Sequence, residues 1–231
     1  MLLGTFWEIS RELLNGFSIS VCLFVFTLLF SLPLGLLMCF CTMSKIKPLS
    51  YLMKFIVLIL RGTPLMLQIF TIFYVPGLLF NFQWPIMNTG WQWFDDSFSS
   101  RFIAVLVAFS INYAAYFSEI YRGGIQSIPQ GQYEAGLVLG LNKRQIFFKV
   151  ILLQVIKRII PPMSNEIITL IKDTSLANVI AVTELMFVAT LELTTGLIWP
   201  IFYAGLFYFV FNGIVTVVLS KVEKKLSYFK V

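Results

Sequence analysis

Five ionisable side chains, Arg61, Glu119, Glu166, Lys172 and Asp173, stand inside stretches that are otherwise apolar. Charges in such settings are costly, so they pair, face a bundle interior or line a water-filled path, and they count as functional candidates. Asp173 and Glu119 are suited to receive an ammonium or a cationic side chain. Thr63, Gln68, Thr174 and Ser175 can bond a carboxylate or an amide, so the set offers charged and neutral partners within apolar walls. The competing reading is interhelical pairing that fixes a bundle, or snorkelling near a span end, and it applies most directly to Arg61 and Glu166. Lys172 and Asp173 are neighbours about 100° apart on a helix, so Lys172 is expected to point away from the cluster.

Other chemistries have little to work with. The chain has no histidine, which removes the commonest general base and metal ligand. Cys22, Cys39 and Cys41 lie within or at the end of one apolar run, without the spacing of a disulfide framework or a metal site. No Gly-x-x-x-x-Gly-Lys-Ser/Thr phosphate loop is present, so this chain is not expected to bind nucleotide itself. An intramembrane enzyme built on Glu119 and Asp173 remains a weaker alternative, as does a scaffold with no pathway.

The elements that hold these residues are membrane spans. Of the 231 residues 58% are hydrophobic and 12% charged, more apolar positions than one soluble core can hide. Spans are expected at about 14–44, with Pro33 as a kink, and at 50–79, 101–122, 159–183 and 198–220. Gly62-Thr63-Pro64 loosens the backbone ladder of the second, which is tolerated at depth only where protein or a cavity satisfies it. Glu8, Arg11 and Glu12 give the N-terminal segment a mixed character, unlike a cleavable signal. Residues 80–100, with Trp84, Trp91, Trp93, Asp95 and Asp96, read as an interfacial loop with aromatic anchors.

The span at 159–183 is the difficult one, because Glu166, Lys172 and Asp173 each cost about 2.5 to 3.5 kcal/mol at a bilayer centre on insertion scales. Counting it as a crossing places three basic regions, 45–54, 143–158 and the tail with Lys221, Lys224, Lys225 and Lys230, on one side. The positive-inside rule then puts the C-terminus in the cytoplasm and the N-terminus outside. No internal repeat or second domain is visible, so 1–231 reads as one domain with a cytoplasmic loop at 123–158.

Within that loop, residues 131–149 are too charged for lipid and too amphipathic for a slack linker. They read as two short helices across a turn: Pro129 near the first start, Glu134 in its first turn, Gly140 as the stop and Asn142 capping the second.

This knuckle resembles the "EAA" loop of the membrane subunits of ATP-binding-cassette importers, Glu-Ala-Ala, three residues, Gly, nine residues, then Ile-x-Leu-Pro. Glu134, Ala135, Gly140 and Leu152 fall on the pattern, whereas Gly136, Val150 and Leu153 depart from it. Three further runs, Arg61-Gly62-Thr63-Pro64-Leu65, Glu119 to Ser127 and Lys172-Asp173-Thr174-Ser175-Leu176, look like the polar amino acid branch of these permeases. The resemblance implies an all-α, five-span type I importer core whose coupling helix, with Glu134, Ala135, Gly136, Gly140, Leu141 and Arg144, docks in a groove of a separate ATPase. ATP and Mg would then sit on that partner, with no cofactor in this chain. A second permease subunit, as homodimer or paralogue, and an extracytoplasmic solute-binding protein are the other expected partners, in a bacterial cytoplasmic membrane and without nucleic acid. A permease of the same architecture for another small solute is the nearest alternative.

Overall fold

The computed structural model describes residues 2–86 and 99–226, so Trp91, Trp93, Asp95, Asp96 and Lys230 of the expected loop and tail lie outside the described residues. Among the described residues every regular element is helical, as expected where backbone polar groups must be satisfied within a segment. The order is α1 (Leu2–Thr42), α2 (Lys47–Gly62), α3 (Leu65–Phe80), α4 (Ser100–Gln126), α5 (Gln130–Val138) and α6 (Lys143–Ile146). A π turn at Phe147–Ile151 leads into α7 (Leu152–Asp173), a 3-10 segment follows at Thr174–Ile180, and α8 (Leu185–Thr194) and α9 (Trp199–Leu226) complete the chain.

Three helical stretches, Phe6–Thr42, Ser100–Gln126 and Trp199–Leu226, are long and apolar enough to cross a membrane; two bent pairs raise the total to five if each is one span. The first bent pair is α2 with α3, which meet at 110° across the Gly62-Thr63-Pro64 break; the second joins Lys143–Ile180 to α8 at 52°. The chain between 159 and 183 is therefore a helix that tightens to 3-10 at Thr174 and then turns, instead of one straight rod. α1 runs uninterrupted through Pro33 from Leu2, and its 41 residues reach roughly 60 Å at 1.5 Å each, about twice a hydrocarbon core.

α4 is the axis. Ala108, Phe109, Tyr113 and Phe117 are buried there in one cluster with Ile19 and Leu23 of α1, Ile69 of α3 and Leu170 and Ile171 of α7, and Ala114 joins Met38 of α1 and Val57 of α2 in another. α1 can lie this close because Gly35 offers no side chain: a Cβ there would stand 2.9 Å from the Ala114 carbonyl oxygen and from Phe117 Cβ. Small residues at helix crossings are how membrane helices gain packing contact where apolar burial alone gives no advantage over lipid. By contrast α9 buries only Pro200 and Ala204 and turns Phe202, Leu206 and Phe209 outward, the surface an apolar solvent requires.

The basic segments gather at one end. Lys54 of α2 shares a cleft with Arg122 of α4, Lys157 of α7 shares one with Lys224 of α9, and the Arg158 guanidinium donates to the Ser127 carbonyl.

Candidate functional site: an intramembrane polar cluster and a basic knuckle

The α2–α3 break exposes carbonyls because Pro64 has no N–H to return. Gln68, one turn into α3, repairs this: its Nε2 lies 2.7 Å from the Leu60 oxygen, 3.2 Å from the Thr63 oxygen and 2.9 Å from Thr63 Oγ1. Asn112 of α4 donates to the same Leu60 carbonyl at 3.1 Å and to Gln68 Oε1 at 3.0 Å. Thr63 Oγ1 in turn donates to the Ile59 carbonyl at 2.9 Å. Both residues expected to meet solute thus hold the break closed against α4.

Glu119 sits one face round. Arg122 grips it through Nε (3.0 Å) and Nη2 (2.6 Å), and Arg61 Nη1 stands 3.5 Å from Oε2. The Arg61 guanidinium also lies over the Tyr116 ring, 5.3 Å from its centroid. Together with Lys54 these groups line a cleft of about 310 Å³. One carboxylate among three cations leaves the cleft basic, so Glu119 presents no free negative charge.

Asp173 does. It ends α7 half-buried, and its Oδ2 accepts the Tyr113 hydroxyl of α4 at 2.7 Å. Glu166 lies seven residues earlier, two turns along the same helix face, and shares the electrostatic surroundings of Asp173 and Arg61. Lys172 is exposed, as the 100° step between neighbours predicts. Thr174 is buried and its hydroxyl donates back to the Ile171 carbonyl at 2.7 Å; Ser175, half-buried, donates to the Lys172 carbonyl at 2.7 Å. Their hydroxyl protons satisfy the tightening of α7 into 3-10 helix, leaving only lone pairs for anything else.

At the basic end, α5 and α6 form the expected knuckle. Pro129 is the N-cap of α5, and Gly140, at φ +74°, supplies the left-handed turn that ends it. Asn142 and Gln145 close a reciprocal capping box at 2.9 Å in both directions. Glu134 stands one turn further in than the first-turn position expected for it, and is exposed. Gly136 is the packing point: a Cβ there would come within 2.7 Å of Cγ1 of the buried Ile146. The departure from Ala at this position follows from that closeness. The tip is apolar, with Val138 88% and Leu139 78% exposed, while Leu141 is half-buried and Arg144 lies over the Phe148 ring at 5.9 Å. Ala135 is exposed beside them.

Residues 31–228, which include the cluster and the knuckle, match the family described as the binding-protein-dependent transport system inner membrane component. The chain belongs to this family. It is a multi-pass permease of the inner (cytoplasmic) membrane within an ABC transporter, not a catalytic subunit. The permease is 40% identical to the L-cystine transport system permease protein TcyB of Bacillus subtilis over 78% of this chain and 69% of that one. It is 33% identical to the arginine transport system permease protein ArtQ of the same organism, over 93% and 92%. Among solved structures, a chain of an amino acid ABC transporter crystallised with histidines superposes with a TM-score of 0.81 at 27% identity, covering 96% of this chain and 97% of that one. The MetNI methionine transporter, at TM-score 0.65 and 15% identity, shares the fold.

Sequence reasoning passed over four polar members of the permease interior: Asn112, Tyr113, Glu184 and Tyr208. Asn112 and Tyr113 carry no charge and sit in an apolar helix, so no hydropathy signal marks them. Glu184 was legible as one of two carboxylates, with Glu192, in a segment without Lys or Arg; the bend that buries it was not.

Proposed function

We propose that this permease imports a polar amino acid bearing a cationic group, driven by a separate ATPase. The observation that carries the reading is the half-buried Asp173, held by Tyr113 and sharing a helix face with Glu166. Two carboxylates in apolar walls complement an α-ammonium or a guanidinium, and the charge Glu119 might offer is already taken by Arg122 and Arg61. Thr63, Gln68, Thr174 and Ser175 complete the site as its frame, holding the α2–α3 break and the turn after Asp173 in place. The names of relatives that carry cystine and arginine support the same substrate class.

The single domain 1–231 then spans the membrane five times, near 14–44, 50–79, 101–122, 159–183 and 198–220, with the N-terminus outside and the basic end, including the loop 123–158, in the cytoplasm. Glu134, Ala135, Gly136, Gly140, Leu141 and Arg144 form the coupling surface for the ATPase, which holds ATP and Mg. Two permease subunits, identical or paralogous, enclose the path, and an external binding protein delivers solute. Nucleotide-driven closure of the ATPases moves the knuckles and, through α7, the Asp173 turn.

The test is reconstitution of the permease with its ATPase and binding protein in liposomes, with uptake measured across arginine, lysine, histidine, glutamine, cystine, a dipeptide and a metal chelate. ATP-dependent uptake confined to amino acids, and reduced by Asp173→Asn, supports the reading. Uptake of the peptide or chelate instead, or an Asp173→Asn profile identical to wild type, overturns it.

A further inference from the structure

Glu184 lies in the bend between the 3-10 segment and α8, with its side chain fully enclosed at 0% exposure. Among the described residues no lysine or arginine pairs with it; the ion pairs are those of Glu119. A carboxylate buried without a cation is expensive unless hydrogen bonds replace its water. Here they do. Oε1 accepts the Phe187 N–H at 2.8 Å and Oε2 the Met186 N–H at 2.7 Å, two donors that the start of α8 leaves orphaned. The third, Leu185 N–H, reaches Ser20 Oγ of α1 at 3.3 Å.

A helix cap alone needs no glutamate, because Ser, Thr, Asp and Asn are the usual capping residues. The longer arm reaches two further groups: Oε2 also takes the Tyr208 hydroxyl of α9 at 3.1 Å and stands 3.3 Å from Ser20 Oγ. Three helices therefore converge on one carboxylate. α1 comes near enough that a Cβ on Gly16 would stand 3.0 Å from the Glu184 and Leu185 backbone. Tyr208 packs against both of the two larger apolar clusters, one containing Leu185 and Ala204 and the other Leu170 and Ile171. The second of these clusters also holds Ala177 and Ile180, so Tyr208 packs on the group of side chains that brackets the Thr174–Ile180 segment after Asp173.

We propose that Glu184 is a positioning residue for translocation: through Tyr208 it fixes the Asp173–Ser175 turn, and through Ser20 and the α8 N-terminus it fixes the bend relative to α1. The link from that turn to solute rests on the substrate reading above; the link from Glu184 to the turn does not.

Two variants separate the tie from the cap. Tyr208→Phe removes one hydroxyl and leaves the cap whole, whereas Glu184→Asp keeps a capping carboxylate and shortens its reach. Each is made in the complete importer, in nanodiscs, on a background with Cys22, Cys39 and Cys41 replaced and Ser175→Cys introduced. The labelling rate of that thiol by a methanethiosulfonate reagent is measured first, without solute. In the unlabelled native-Ser175 importer, KM and Vmax are then read for whichever solute the wild type carries. Both variants are expected to raise the labelling rate roughly five- to ten-fold, the size of one lost hydrogen bond, and to raise KM by a similar factor with Vmax and melting temperature near wild type.

Unchanged labelling in both variants overturns the proposal. A faster label with KM unaltered confines the tie to structure and equally overturns its positioning role. If the wild type carries no amino acid yet label and KM for its actual solute move together, the substrate reading fails and the positioning role stands.

Discussion

The Tyr113 hydroxyl donates to Asp173 Oδ2 at 2.7 Å, so the carboxylate at the end of α7 is oriented from α4 and not by its own helix. Tyr113 is itself packed into the main apolar cluster with Phe109 and Phe117, which leaves its ring little freedom to follow if α7 moves. The distance between α4 and α7 thereby becomes part of the proposed solute site.

Removing that hydroxyl should loosen Asp173 without unfolding the bundle. Tyr113→Phe keeps the ring and its packing, and a hydrogen bond to a charged group is worth about 1.5 to 3 kcal/mol. The expected outcome is a rise in uptake KM of roughly ten-fold with expression unchanged. Asp173→Asn should be the more severe of the two, because it removes the charge as well. Uptake kinetics in proteoliposomes check both, and equal KM values for Tyr113→Phe and wild type would mean that Asp173 is positioned by something else.

Gln68 predicts a stability effect. Its amide bridges the Leu60 and Thr63 carbonyls and Asn112, so Gln68→Leu strands a buried acceptor and a donor together. Each unsatisfied group costs about 1 to 3 kcal/mol. The variant should lose several degrees of melting temperature in detergent, and Gln68→Glu should lose at least as much, because it keeps an acceptor for Asn112 but sets a second oxygen against the Leu60 carbonyl. Fluorescence-monitored unfolding of the purified permease reads the difference.

How much of this was legible in the sequence depends on whether the signal was local. Gly140, Asn142 and Pro129 define the knuckle because caps and left-handed turns are written in single residues with known chemistry, and the structure places all three as read. The break at Gly62-Thr63-Pro64 was equally local; its 110° angle was not, since the angle depends on what Gln68 and Asn112 can catch. Glu119 and Asp173 look alike in sequence as isolated acids among apolar residues. Only the fold separates them, by giving one two arginines and the other a tyrosine. Glu184 was the hardest to read, because its partners Ser20 and Tyr208 are far away along the chain.

The knuckle offers a sharper test of coupling. Gly140 at φ +74° cannot accept proline, whose ring holds φ near about −65°, so Gly140→Pro should abolish the turn between α5 and α6. Gly136→Val should push Ile146 out of its buried seat, since even one Cβ would stand 2.7 Å from Ile146 Cγ1. Both variants should insert normally and lose ATP-driven uptake, because the spans are untouched. Glu134→Lys, exposed and making no packing contact of this kind, tests charge at the proposed docking surface alone. Full uptake by all three would remove residues 131–149 from the coupling pathway.

The exposed tip carries the last prediction. Val138 and Leu139, 88% and 78% exposed, follow the buried Gly136 and belong to no buried cluster among the described residues. Two exposed aliphatic side chains on a knuckle that also exposes Glu134 and Arg144 have the character of a small interface core with a polar rim. Fully burying such a side chain is worth about 1.5 to 3 kcal/mol, so Val138→Asp with Leu139→Asp should weaken ATPase binding by at least roughly a hundred-fold. The fold of the permease should be unaffected, because neither residue contributes to any buried cluster. Co-purification of the ATPase with wild-type and doubly substituted permease, followed by size-exclusion chromatography, reads the loss directly. Retention of the ATPase at wild-type stoichiometry would place the docking surface elsewhere on the basic end, with the groove of Lys157, Glu223 and Lys224 the next face to substitute.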